Sequence, residues 1–227
     1  MFHHTALQSM LNIPPISMRV NLLNYMIQSF HATTQKFVLP EISHELAPDA
    51  EDVTSILGLN DTGTDVADFI NKYGKEAQTR IPPHFLNKNS GEIEIDDLIR
   101  DIVKNQPNDD DFIRKTVLIL LGTVLAPYSL KYVPKSYYCL VENVLRIHSF
   151  NWNAFTLRVL LHSITKFKRE NTITRWPKGN LAFVQVRHNY CSLNLSLLLI
   201  LKHFCFYYLH STFTGKRDFH WMVRHIR

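Results

Sequence analysis

Apolar side chains recur at intervals of three and four residues through most of positions 13–185, the spacing of a helical stripe that buries one face. Residues 13–30 open with Pro14 and Pro15 and continue with Val20, Leu22, Leu23, Met26, Ile27 and Phe30, which predicts a helix. Looser alternation over 36–46, with Pro40 inside it, predicts a minor extended pair near 37–42. In PDAEDVTSILGL (48–59), Asp49, Glu51 and Asp52 stand ahead of Val53, Ile56 and Leu57, and Gly58 follows. Carboxylates at the positive end of a helix dipole and a terminal glycine define a short helix. NDTGT (60–64) is turn chemistry, and 66–73 predicts another short helix ended by Gly74.

Pro82, Pro83, Asn87, Asn89, Ser90 and Gly91 make 79–91 a loop and the best internal boundary. Beyond it Ile93, Ile95, Leu98, Ile99, Ile102 and Val103 return to helical spacing until Pro107. The run 112–125 is more apolar and stops before Pro127, which predicts a central buried helix. It is headed by Arg114 and Lys115 and falls short of the roughly 20 apolar residues that span a bilayer. Helices over 136–147 and 151–167, opened by Ser136 and Asn151, are expected to close as an antiparallel hairpin through 148–150. Leu118, Leu121, Leu140, Val144, Leu157 and Leu160 are expected to meet in the core. The fold class that follows is mainly α: a single helical globular domain with a minor extended pair.

A content of 45% hydrophobic and 11% aromatic residues supports a substantial core. Only Cys139, Cys191 and Cys205 occur, with no CxxC spacing, which fits a reducing compartment. The N-terminus carries no basic cluster followed by an apolar stretch, so the expected location is nuclear or cytoplasmic and not secreted. Charge is unevenly distributed. Residues 1–111 hold 8 Lys+Arg against 17 Asp+Glu, whereas 112–227 hold 17 against 3. Either the two poles pair inside one fold, which is favoured, or the basic half faces an acidic partner such as nucleic acid.

Candidate chemistry is sparse. Twelve histidines include no HExxH and no His/Cys cluster at ligand spacing, so no metal is expected. Cys139 could be paired with His148 or His162 as a nucleophile, but its apolar setting suggests a buried structural thiol. The acidic groups Asp109 to Asp111, and Glu92, Glu94, Asp96 and Asp97, precede predicted helices and read as dipole partners rather than cation ligands. No Gly-rich phosphate cradle is present, and no cofactor is expected. The best binding candidate is a nucleic-acid contact formed by Lys166, Lys168, Arg169, Arg175, Trp176 and Lys178, in which cations meet phosphates and the indole stacks on a base. The competing and favoured reading is a helix C-terminus whose cations complement its dipole. A membrane contact by 191–209 (CSLNLSLLLILKHFCFYYL) is disfavoured by Lys202 and His203 inside the run.

The strings RVNLLNYMIQSF (19–30), EDVTSILGL (51–59), LGTVLAPYSLKYVPKSYYCLVENV (121–144), NWNAFTLRVLL (151–161) and WPKGNLAFVQ (176–185) stand here in order. In that order they resemble the aminotransferase-like plant mobile domain family, over roughly residues 13–185. The resemblance implies a helical, transposon-derived, non-enzymatic module that takes part in protein or nucleic-acid interaction. It does not imply aminotransferase chemistry, which needs a Schiff-base lysine in a pyridoxal phosphate site. Members are often fused to Ulp-type SUMO proteases, so an alternative is the N-terminal remnant of such a gene without its catalytic domain. Another is a decaying copy with no stable product. The pattern is lost after Gln185, which divides the chain into a family-like domain, 1–185, and an atypical apolar and basic C-terminal tail, 186–227, expected to be read-through sequence.

Overall fold

The computed structural model describes residues 7, 17–39, 45–105, 109–128, 131–170 and 176–192, with side chains up to residue 188. Helix α1 (Val20–Gln28) buries Leu23, Met26 and Ile27, the stripe expected from their spacing. The chain then forms a small antiparallel sheet of β1 (Phe30–His31), β2 (Lys36–Val38) and β3 (Glu45–Leu46), in that order. Phe37 lies opposite both Phe30 and Leu46, so one face is apolar, while Lys36 and Glu45 pair outside at 2.6 Å. The expected extended pair is thus one part of three strands. Its predicted end at Ile42 lies outside the described residues.

Helix α2 (Ala50–Leu57) starts and stops as its sequence indicates. Asp49 accepts from the Asp52 amide, Asp52 reciprocates on the Asp49 amide, and Gly58 closes the helix in the left-handed region at φ 65°. Helix α3 (Val66–Ala77), capped by Asp65, runs past Gly74 rather than ending there. Gly74 is buried against the 3₁₀ segment Lys135–Leu140. A Cβ there would lie 3.0 Å from Ser136 Cβ and 3.2 Å from its carbonyl oxygen. Its small size, not its freedom to stop a helix, explains it.

Residues 79–91 form a loop but not a domain boundary. Ile81 and Phe85 join the same core as α3 and α5, and the Phe85 ring packs edge-on against Tyr138 at 5.6 Å. Strand β4 (Ile93–Glu94) pairs with β5 (Tyr132–Val133) and feeds α4 (Ile95–Asn105), so Ile93 belongs to a strand instead of the predicted helix. Helix α5 (Asp110–Leu120) is the expected central helix. It buries Val117 and Leu118 and widens into a π-turn over Leu121–Leu125 before Pro127.

A single helix over 136–147 is not formed, and with it goes the hairpin. The segment splits into 3₁₀ turns at Lys135–Leu140 and Val144–Ser149. The Arg114 guanidinium donates to the carbonyls of Val141 (3.3 Å) and Glu142 (3.4 Å), and Asn143 Oδ1 takes the Leu145 amide (3.0 Å). The acceptor and donor of the helical bond from residue 145 to residue 141 are therefore both engaged elsewhere.

Helix α6 (Trp152–Glu170) begins at Asn151, whose side chain accepts from the Ala154 amide at 2.9 Å, and it buries Trp152, Phe155, Leu160 and Ile164. Of the six residues expected to share the core, Leu118, Leu121, Leu140 and Leu160 are buried, and Val144 and Leu157 pack against them half-buried. Helix α7 (Leu181–Ser192) lies on α1 and α2 and crosses the expected boundary after Gln185. Gln185 bridges the Arg19 amide (2.6 Å) and the Ser17 carbonyl (2.8 Å), and Arg187 reaches Asp52 at 2.6 Å. The architecture is mainly α-helical with two small sheets.

Candidate nucleic-acid interface

Internal pairing accounts for much of the charge asymmetry. Cations of the basic half meet carboxylates of the acidic half in Lys115–Asp101 (2.6 Å), Lys131–Glu94 (3.5 Å), Lys135–Glu92 (3.2 Å), Arg187–Asp52 (2.6 Å), Arg114–Asp111 (2.8 Å) and Arg158–Asp65. The favoured reading of the two poles holds for these six pairs. The acidic groups singled out in the sequence are occupied in the same way. Asp109 caps the Phe112 amide at 3.1 Å, Asp97 accepts from Asn87 at 2.7 Å, and Glu94 accepts from the Ser90 hydroxyl at 2.8 Å. Among the described residues no three His, Cys, Asp or Glu side chains come together as a metal site.

The cations predicted to contact nucleic acid have a different environment. Lys166 lies 3.6 Å from Glu170 of its own helix, and Lys168 donates to the Gln28 carbonyl at the C-terminus of α1 at 2.9 Å. Arg169 is exposed, and Lys178 Nζ sits 3.3 Å from the centroid of the Tyr128 ring. Arg175 lies outside the described residues. Among the described residues, the one ion pair formed by Lys166, Lys168, Arg169 and Lys178 is that of Lys166 with Glu170. Lys168 and Arg169 stand in the last turn of α6, where the dipole reading places them, and Lys168 also reaches the C-terminal end of α1.

Segment 176–180 is held beside α6. Gly179 donates its amide to the Pro127 carbonyl at 3.1 Å, and it packs so closely on α6 that a Cβ would lie 2.8 Å from Leu160 Cα. With a rise of about 1.5 Å per residue, Lys166 and Arg169 stand roughly 9 and 14 Å further along α6 than Leu160. Side chains of the segment alternate, with Pro177 buried and Trp176 and Lys178 exposed. Trp176 is 46% exposed and Tyr128 57%. Sequence reasoning missed Tyr128. Its signal was an aromatic placed directly after the helix-stopping Pro127, outside any apolar periodicity.

Other candidates are set apart by burial. Cys139 is buried, and desolvation pushes its thiol up to about 12, so it stays protonated at neutral pH. His148 and His162 are both exposed, away from that buried setting. The described helices include none long and apolar enough to cross a membrane. Most of 191–209 lies outside the described residues.

Paired carboxylates make stability depend on acid. Hydrogen bonds from Lys115, Arg158 and Arg80 hold Asp101, Asp65 and Glu142 below their ordinary values of 3.8, 3.8 and 4.5. Burial raises Asp111, but Arg114 and His84 outweigh it and leave it lowered as well. A depressed folded-state value means the unfolded chain takes up protons first. The stabilisation is complete above the ordinary values and is lost as pH falls through the folded-state ones. Denaturant midpoints should therefore be level from pH 7 to pH 5.5 and fall steeply below about pH 4.5. A midpoint unchanged down to pH 3 would contradict these pairings.

Fold and charge pairing together define a mainly α-helical domain in which six cations of the basic half are paired with carboxylates of the acidic half. The chain belongs to the family described as domain of unknown function DUF8566, whose model matches residues 3–185. No curated protein and no solved structure matches it.

Proposed function

We propose that this domain is a non-catalytic, mobile-element-derived module that acts in the nucleus or cytoplasm by holding the phosphates of a nucleic acid. One observation carries the reading. Many cations of the basic half are spent on the chain's own carboxylates, while among the described residues Lys166, Lys168, Arg169 and Lys178 form one ion pair, that of Lys166 with Glu170. Such a local excess is the electrostatic footprint of a polyanion site. The ancestry rests on the five strings whose order resembles the plant mobile domain.

Binding should be seen as an anisotropy rise with a labelled oligonucleotide of about 20 residues, falling steeply with salt as counterions are released. Lys166→Ala, Arg169→Ala and Lys178→Ala combined should reduce the slope of log affinity against log salt by about 2 to 3. Lys168 is left intact, because its ammonium holds the end of α1. An unchanged slope, or no binding at low salt, refutes the reading.

A further inference from the structure

Phosphate contacts alone do not distinguish a duplex from a single strand, because both present a charged backbone. Exposed aromatic rings beside the cations do distinguish them, since only unpaired bases offer their faces for stacking. Tyr128 and Trp176 are large apolar side chains left open to solvent, whereas Phe150 and Trp152 are fully buried. The two exposed rings come from chain segments far apart in sequence. Those segments are brought together by the Gly179 to Pro127 hydrogen bond and by Lys178 lying on the Tyr128 ring.

Resting on the nucleic-acid reading above, we propose that Tyr128, Lys178 and Trp176 form a stacking site for unpaired bases, which makes single-stranded nucleic acid the ligand class. Extended backbone separates Trp176 and Lys178 by about 7 Å, close to the spacing of successive nucleotides in an extended strand. The cation–π contact places the Lys178 ammonium over one face of the Tyr128 ring, 3.3 Å from its centroid. A base stacked on Trp176 would bring its phosphate toward that ammonium, and a base taking the same face of Tyr128 would displace the ammonium from the ring onto the phosphate.

The full chain is titrated with a labelled single strand, the duplex of the same sequence, and poly-glutamate at matched charge. The expected result is at least tenfold tighter binding of the single strand. Tyr128→Leu and Trp176→Leu should each lose about tenfold in single-strand affinity, while Tyr128→Phe and Trp176→Phe retain it. Leu145→Ala, an equally surface-borne apolar side chain elsewhere at 80% exposure, serves as the unaffected control. Cation-dependent binding with duplex affinity equal or higher, or indifferent to the leucine variants, overturns this inference and leaves the phosphate-binding function standing. Poly-glutamate competing as well as the oligonucleotide overturns the nucleic-acid class. Absence of binding to any of the three overturns both.

Discussion

Trp152→Ala is expected to destabilise the domain by about 3 to 5 kcal/mol, the range for deleting a fully buried large aromatic side chain. Trp152 has no exposed surface, and its indole Nε1 donates to the Ile147 carbonyl at 2.9 Å. Its ring packs on Phe150 at 5.4 Å, which in turn meets Phe69 of α3 edge-on at 5.0 Å. The residue thus joins the first turn of α6 to the preceding 3₁₀ turn and to α3. Removing it opens a cavity and leaves the Ile147 carbonyl without its donor. Trp152→Phe keeps much of the packing but not the hydrogen bond and should cost about 1 to 3 kcal/mol. Urea unfolding monitored by circular dichroism measures both, and an alanine variant as stable as the phenylalanine variant would contradict the assignment.

Asp101→Ala should cost about 3 to 5 kcal/mol at neutral pH, more than its partly exposed position suggests. The reason lies in its partner. The Lys115 side chain is 6% exposed, its ammonium is 2.6 Å from Asp101, and it lies over the Phe85 ring at 5.3 Å. Without Asp101 the ammonium is a buried charge lacking its counter-ion. Lys115→Met removes the charge and keeps the volume, so it should stay within about 1 kcal/mol of the natural protein. The double variant should then recover most of what Asp101→Ala loses, a coupling that a double-mutant cycle reads directly. If Asp101→Ala costs no more than Lys115→Met, the buried-charge account is wrong.

Local chemistry made the helix ends legible. Asp49, Gly58 and Asn151 act at their own positions through hydrogen bonds within three or four residues, so their roles can be read without knowing the fold. Gly74 and residues 136–147 were misread for the converse reason. The glycine answers to Ser136, and the broken helix answers to Arg114, partners that no local window contains. The candidate interface was half legible. Its cations and Trp176 form short runs, but Tyr128 joins them only where Gly179 meets Pro127.

Periodicity, caps and composition by themselves determined a mainly α-helical chain with a real core, because apolar spacing and terminal polar groups express forces acting within one turn of backbone. Tertiary structure alone decided which charges cancel and which remain outward. Partners such as Arg187 and Asp52 are distant in sequence, and only the packing of α7 on α2 brings them within 2.6 Å. Electrostatic pairing depends on distance in space, so which cations of the basic half are paired internally could be identified only from the packed fold.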